Sequence, residues 1–218
     1  MDADPVILSY GDSLVRGSDL AILRSNQWLN DRLISFYLEL CQLDKFPGAG
    51  LSFVAPEVVQ CIKLMAPGEL SLVLDPLELA TNTALLPLNN NPDPGAAGGS
   101  HWSLLVYCAA ANTAHHLDSS AGCNASTAAE MARKLGGYFH AAAPAPRVVE
   151  VGVAQQTNGH DCGLHCVTNV GHVASLLSSE PGGSKDLATL VRSRPGPPLM
   201  ERKELLKTIM AMSTSKSI

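Results

Sequence analysis

The chain has 218 residues, of which 46% are hydrophobic and 16% are charged. That length fits one folded domain whose core needs no disulfide or metal, and the composition excludes a disordered chain. The formal net charge of −5 argues against a nucleic-acid-binding protein, whose surface would be basic. We therefore expect a single domain over residues 1–218, with no nucleic acid among its partners.

Targeting signals are not evident in the sequence. The opening residues Met1–Pro5 lack the basic stretch and apolar run of a secretory signal. No run approaches the roughly 18 apolar residues that a membrane span requires. We expect a protein of the cytoplasm and/or nucleus, with no membrane partner, whose six cysteines stay reduced.

The first half of the chain contains two predicted helices, Arg32–Cys41 and Glu57–Leu64. Apolar spacing supports both, and Asn30 or Asp31 can cap the first one. Two shorter segments precede them, and we predict a strand at Val6–Leu8 and a brief strand or turn at Asp19–Leu23.

The middle of the chain begins with a loop at Asn89–Gly99 that is rich in asparagine, proline and glycine. Two strands follow, Trp102–Cys108 and Ala114–Asp118, and their tight connection predicts a hairpin. Thr127 and Glu130 have capping-box spacing, which predicts a helix from Thr127 to about Leu135. A β-branched strand is predicted at Arg147–Val153.

The last third combines a polar loop, Gln155–Asp161, with a helix that carries Cys166 and Leu177 on its apolar face. Residues 178–198 are rich in glycine, proline and serine, which predicts an exposed insertion. A final amphipathic helix is predicted at residues 199–212. Together the elements predict an α+β protein.

A histidine and an aspartate flank the predicted hairpin. The midpoint between His101 and Asp118 falls at Ala109–Ala110, inside the turn, so the two residues should face each other or nearly so. A carboxylate there can hold one imidazole nitrogen and leave the other as a base. This spacing predicts a histidine–aspartate pair.

A cysteine follows the polar loop at the start of the next helix. With Asp161 as N-cap, Cys162 lies in the first helical turn, where the helix N-terminus and a protonated histidine favour a thiolate. Gln156 can donate its side-chain amide to an oxyanion, together with the Cys162 backbone N–H. Gly163 would leave room for a substrate backbone beside the sulfur. The parts needed for acyl transfer are present: nucleophile, base, orienting acid and oxyanion donor.

Zinc binding is the alternative use of these residues. His160, Cys162, His165 and Cys166 could be ligands, but no second Cys/His pair lies at finger-like spacing. We therefore expect no metal and no organic cofactor.

The order His101, Asp118, Gln156, Cys162 resembles that of the sentrin/Ulp-type cysteine proteases, which process and remove ubiquitin-like modifiers. Trp28-Leu29-Asn30-Asp31 and His101-Trp102 also look like motifs of that family. The resemblance implies a papain-like fold in circularly permuted order, with helices packed around a central mixed sheet. It also implies a thiol-dependent isopeptidase that cuts after a C-terminal Gly-Gly.

Within this family the sequence is most similar to the small deneddylases, through Ser52–Val58 and Ala96–Tyr107. That likeness implies a monomer whose partners are the Nedd/Rub modifier and its conjugates, such as cullins, and which also processes the precursor. His160 stands where the pattern has tyrosine or serine. A SUMO-specific protease and an inactive protein that binds ubiquitin-like modifiers remain the alternatives.

The resemblance also implies a substrate-binding set. Trp102 would roof a tunnel that admits only Gly-Gly, and a tight pocket at Ala96 and Ala97 would accept a small residue where ubiquitin has arginine. The full set is Trp28, Asp31, Ala96, Ala97, Gly98, Gly99 and Trp102.

Overall fold

The computed structural model describes residues 4–77, 79, 82–93, 98–179, 186–194 and 196–215. Their strands and helices, in chain order, are β1 (Val6–Tyr10), β2 (Ser13–Arg16), α1 (Gly17–Leu23), α2 (Asp31–Leu40), β3 (Leu51–Phe53), α3 (Pro56–Leu64), α4 (Ser71–Leu74), β4 (Thr83–Asn89), β5 (Trp102–Cys108), β6 (Thr113–Leu117), α5 (Ala125–Phe139), β7 (Arg147–Val151), α6 (Cys162–Ser179), α7 (Leu187–Ser193) and α8 (Arg202–Ser215). A π-helical turn, Cys41–Lys45, extends α2.

A five-stranded mixed sheet organises these elements, in the order β3-β4-β5-β6-β7. The three inner strands, β4, β5 and β6, are antiparallel to one another, whereas β3 runs parallel to β4 and β7 runs parallel to β6. A separate antiparallel hairpin, β1–β2, lies outside this sheet. Helices around a mixed sheet confirm the predicted α+β class.

Both faces of the sheet are buried. Successive residues of a strand point to opposite faces, and in β5 Leu104 and Val106 join one apolar cluster while Leu105 and Tyr107 join the other. The first cluster contains the apolar sides of α1, α2, α6, α7 and α8. The second contains those of α3, α4 and α5. As a result α6, which begins at Cys162, packs directly against one face of the sheet.

Asp19–Leu23 is helical, so the prediction of a strand or turn there is wrong. The Asp19 carboxylate accepts the backbone N–H of Arg16 at 2.8 Å, which caps the helix that starts at Gly17. For α2 the choice between two caps is resolved, because Asn30 Oδ1 accepts the backbone N–H of Leu33 at 3.1 Å.

The helix predicted from Thr127 begins earlier, at Ala125, and continues to Phe139. Its start is set by Asn124, whose backbone N–H donates to Asp118 Oδ2 at 3.1 Å. The Asn124 side chain turns inward and donates to Ser103 Oγ at 2.9 Å. The capping-box residues therefore lie inside the helix and do not begin it.

The expected exposed insertion at residues 178–198 is partly buried. Four residues of α7 lie in the core, namely Leu187, Ala188, Leu190 and Val191. Their helical spacing was hidden by the glycine, proline and serine residues around them; residues 180–185 and 195 lie outside the described part of the chain. The last helix starts at Arg202, three residues later than predicted, and buries Leu205 and Ile209.

Among the described helices, none combines the length and apolar character needed to cross a membrane.

Candidate active site

The β5–β6 hairpin brings His101 and Asp118 together, as predicted. Leu104 is the partner of Leu117, so continuing this register sets Asp118 opposite Ser103 and makes its approach to His101 diagonal. His101 Nε2 and Asp118 Oδ1 are 2.6 Å apart. The turn is displaced from the expected midpoint, but the histidine–aspartate pair is formed.

Asp118 is held by backbone amides as well as by histidine. The N–H of Ser120 donates to Oδ1 at 2.9 Å, and the N–H of Asn124 donates to Oδ2 at 3.1 Å. Burial alone would raise the pKa of Asp118, but the bonds from His101 and from these two amides lower it. The carboxylate is therefore ionised at neutral pH and fixes the orientation of the imidazole.

His101 lies between a carboxylate and a thiol. Burial by itself would lower its pKa, but hydrogen bonds with the side chains of Asp118 and Cys162 raise the pKa of His101 to about 9. Only 6% of His101 is exposed. At neutral pH the imidazole is therefore held in its protonated form, and its positive charge faces the Asp118 carboxylate.

Cys162 is the first residue of α6 and is buried. The backbone carbonyl of Asp161 accepts the His165 N–H at 3.0 Å, so Cys162 lies in the first turn of the helix, where the positive end of the dipole is. Cys166, one turn later, differs: burial raises its pKa far above the ordinary range, and its Sγ donates to the Ser103 carbonyl. The two thiols of this helix are therefore chemically distinct, and Cys162 is the one beside a histidine.

Gln156 is joined to Ser119, the residue that follows Asp118. The Ser119 hydroxyl donates to Gln156 Oε1 at 2.9 Å, and the Gln156 backbone N–H donates to the Ser119 carbonyl at 2.8 Å. The side-chain Nε2 donates one hydrogen to the Asn158 carbonyl at 2.8 Å. The loop that precedes Cys162 is thus attached to the end of β6, where Asp118 lies.

A groove of about 520 Å³ opens at Cys162, His101 and Trp102. Five of the residues expected to bind substrate line it, namely Trp28, Asp31, Gly98, Gly99 and Trp102. The other two, Ala96 and Ala97, lie outside the described residues. In the described part of the chain no group of three or more His, Cys, Asp and Glu side chains is arranged to hold a metal ion.

The two tryptophans of the groove differ in exposure. Trp102 is 5% exposed, and its indole Nε1 donates to the Leu29 carbonyl at 3.0 Å. Trp28 is 48% exposed, and its Nε1 donates to the Gly159 carbonyl in the nucleophile loop at 2.6 Å. Trp102, which was predicted to roof the tunnel, is therefore a buried residue in the wall of the groove. Trp28 is the tryptophan of the groove whose indole is accessible to solvent.

Two glycines near the site are required by the backbone. Gly99 has φ +87°, and a Cβ there would overlap the side chain of Asn89. At Gly163 a Cβ would come within 2.7 Å of Leu29 Cβ. Gly163 therefore allows α6 to pack against Leu29, which corrects the expectation that it makes room for substrate.

Sequence reasoning missed two asparagines that position the histidine–aspartate pair. Asn90 Oδ1 accepts the backbone N–H of Ser100 at 2.7 Å and that of His101 at 3.3 Å. Asn124 bonds Asp118 through its backbone, as described above. The run of three asparagines at 89–91 signalled a turn but not its target, and Asn124 gave no signal beyond the start of a helix.

Comparison with known proteins agrees with this geometry. The sequence model of the Ulp1 protease family, C-terminal catalytic domain, matches residues 79–183. Sentrin-specific protease 8 of Homo sapiens is 38% identical over 169 residues, which are 76% of this chain and 80% of that protein. NEDD8-specific protease 1 of Arabidopsis thaliana is 34% identical over 224 residues, covering 98% of this chain and 97% of that protein.

The fold is also similar to solved structures. The C-terminal Ulp1 protease domain in complex with Smt3, the yeast ortholog of SUMO, superposes with a TM-score of 0.65 at 16% identity, over 98% of this chain and 90% of that one. The fold and the site therefore define a papain-like cysteine peptidase. More particularly, the chain belongs to the Ulp1 protease family, and it acts on a ubiquitin-like protein.

Proposed function

We propose that this peptidase is a deneddylase, which cuts the peptide or isopeptide bond after the C-terminal Gly-Gly of a Nedd/Rub modifier. The observation that carries the proposal is the 2.6 Å contact between His101 and Asp118, with Cys162 as the second partner of the imidazole. The choice of modifier is supported by relatives named NEDD8-specific protease, one of them 34% identical over 97% of its length.

In the proposed mechanism the proton of Cys162 is already held on His101 in the resting site, and the thiolate attacks the carbonyl carbon of the terminal glycine. The raised pKa of His101 favours this placement of the proton, because the imidazolium is stabilised by Asp118. His101 then gives the proton to the departing amine, which is a lysine side chain in a conjugate or an α-amine in a precursor. Water hydrolyses the thioester and releases the modifier.

The oxyanion would be held by the backbone N–H of Cys162 and the side chain of Gln156. Asn158 takes one hydrogen of the Gln156 amide group, and an amide nitrogen carries two. The second hydrogen would be donated to the oxyanion. Removing one such donor typically costs about 100- to 1000-fold in kcat.

The groove suits an extended tail that ends in Gly-Gly and has a basic residue before the two glycines. Its walls include Trp28 and Trp102, and a glycine tail is the one that brings no Cβ to such walls. Asp31 also lines the groove; burial first and the charge of Glu57 second raise its pKa. A cation from the substrate tail would stabilise the Asp31 carboxylate against both its burial and the charge of Glu57. Asp31 is therefore proposed to pair with a basic residue upstream of Gly-Gly.

Cleavage of a panel of modifiers tests this proposal. Nedd8, ubiquitin and SUMO, each with a C-terminal fluorophore, are compared by kcat/KM, and Cys162→Ala is the control for contaminating activity. We expect the order Nedd8, then ubiquitin, with SUMO almost uncleaved. The family likeness implies a small residue in the Nedd/Rub tail where ubiquitin has arginine, so exchanging that residue for arginine should strongly lower kcat/KM.

The other outcomes of this experiment are equally informative. Comparable cleavage of SUMO and Nedd8 would contradict the deneddylase proposal and favour a SUMO-specific protease. Tight binding of a modifier without turnover by the wild-type protein would indicate an inactive binding protein.

A further inference from the structure

An arginine from the C-terminal helix reaches the loop that carries the nucleophile. Arg202 is the first residue of α8, and its Nη2 donates to Asp161 Oδ1 at 2.8 Å and to the His160 carbonyl at 3.3 Å. Its Nη1 donates to the Ile22 carbonyl near the end of α1 at 3.3 Å. One guanidinium thus joins α8, α1 and the residues immediately before Cys162.

Asp161 is the residue through which this contact reaches the thiol. Its second carboxylate oxygen accepts from Asn158 Nδ2 at 2.8 Å, and its backbone carbonyl accepts the N–H of His165 at 3.0 Å. Burial alone would raise the pKa of Asp161, but the bonds from Arg202 and Asn158 lower it. Asp161 is therefore an ionised carboxylate, fixed by its partners, in the residue before Cys162.

The stability of α8 does not account for an arginine at this position. A cation at the N-terminus of a helix opposes the helix dipole. The helix is held to the core by other residues, Leu205 and Ile209, which are 2% and 0% exposed. The side chains of Arg202 and Asp161 are only 13% and 17% exposed, so solvent screens their attraction weakly. The placement of Arg202 is explained by its carboxylate partner.

We propose that Arg202 is a positioning residue for the reaction: it holds Asp161 and the loop 158–161 so that the Cys162 sulfur stays aligned with His101. This inference rests on the proposed role of Cys162 as nucleophile. Without Arg202 the loop loses its link to α8 and α1. The carboxylate of Asp161 also loses its guanidinium partner and keeps only Asn158 Nδ2, at 2.8 Å, and His160 Nε2, at 3.8 Å. Its charge, one residue from the sulfur, then opposes the negative charge of the thiolate and of the oxyanion more strongly. Arg202 lies outside residues 79–183, which the family model matches.

Steady-state kinetics of the full chain on Nedd8-fluorophore test the proposal. Arg202→Ala should lower kcat about 10- to 100-fold, because small misplacements of a reacting group have effects of that size. Its KM should change less than its kcat, since Arg202 itself does not line the groove. Arg202→Lys keeps the charge but loses the planar fork, so it should recover part of the lost kcat.

Two matched controls separate positioning from folding. Lys203→Ala removes the neighbouring cation, which pairs with Glu201 on the surface, and should leave kcat unchanged. Ile209→Val weakens the packing of α8 without touching the loop, and should lower the melting temperature while keeping kcat below that temperature. All variants are assayed well below their melting temperatures.

A double variant tests whether Arg202 acts through Asp161. Asp161→Asn removes the negative charge with little change in shape, so Arg202→Ala combined with Asp161→Asn should be no slower than Arg202→Ala alone. Wild-type kcat in Arg202→Ala, or an equal loss of kcat in Ile209→Val, would overturn the inference. Retained turnover in Cys162→Ala would instead overturn the proposed nucleophile, so the two failures are distinguishable.

Discussion

His101 is the residue on which the electrostatics of the site depend. It donates to an ionised carboxylate, Asp118, whose two oxygens also accept backbone N–H groups of Ser120 and Asn124. This arrangement, together with the hydrogen bond to Cys162, raises the pKa of His101 from its ordinary value of 6.5 to about 9. The stabilisation from the protonated ring is therefore full below about pH 6.5 and is lost as the pH rises through 9. The pKa of Asp118 is lowered from 3.8, so the stabilisation is lost on the acid side only as the pH falls below 3.8 and the carboxylate becomes protonated.

Asp118→Asn should reveal this linkage in the free energy of unfolding. We expect the wild type to be more stable than the variant by at most about 3 kcal/mol at pH 5–6, with the difference shrinking between pH 7 and pH 10. Urea unfolding at a series of pH values measures it. Asp186→Asn is the matched control, because Asp186 also contacts a histidine, His115, but its side chain is 40% exposed. Asp186→Asn should lower the free energy of unfolding by less than about 1 kcal/mol. A wild-type advantage that is constant from pH 5 to pH 10 would contradict the raised pKa.

At the scale of elements, the strand β5 is entered through a tight backbone segment. Gly99 has φ +87° and no room for a Cβ beside Asn89. A Cβ added at Gly98 would instead make ordinary contacts, at 3.5 Å, with the side chain of Asn91. The next residues, Ser100 and His101, donate their backbone N–H groups to Asn90. The conformation of this segment therefore sets where the imidazole enters the site.

Gly99→Ala and Gly98→Ala form a matched pair for this claim. Gly99→Ala should lower the free energy of unfolding by about 1–3 kcal/mol, because it forces both a strained φ and a steric overlap. Gly98→Ala should change it by less than about 0.5 kcal/mol. Urea unfolding of both variants checks the expectation, and equal stabilities would mean that the segment adapts.

Local sequence patterns predicted the elements that depend on local interactions. Trp102–Cys108 was predicted with its observed bounds, and the hairpin spacing gave the contact of His101 with Asp118. The helix at Asp19–Leu23 was missed although its cap is local. Two other failures share one cause, which is that distant partners decide the outcome. The start of α5 depends on Asp118, and the burial of α7 depends on a core to which its flanking sequence gives no clue.

At the scale of the whole molecule, the site forms where separate parts of the chain meet at one end of the sheet. Trp28 precedes α2, His101 precedes β5, Asp118 follows β6, and Cys162 begins α6. The order of these residues was readable from the sequence because each lies in a short motif. The contact of Arg202 with Asp161 could not be predicted from the sequence, because Arg202 lies 40 positions beyond Cys162 and no local pattern links it to Asp161.

The central claim, that Cys162 is the nucleophile of a Nedd8-directed peptidase, is tested most directly by covalent trapping. Nedd8 carrying a C-terminal electrophile in place of its last glycine carboxylate is incubated with wild type, Cys162→Ala and Cys166→Ala, and the adduct is located by mass spectrometry of tryptic peptides. We expect one adduct, on Cys162, in wild type and Cys166→Ala, and none in Cys162→Ala. An adduct on another cysteine, or unchanged labelling of Cys162→Ala, would contradict the assignment.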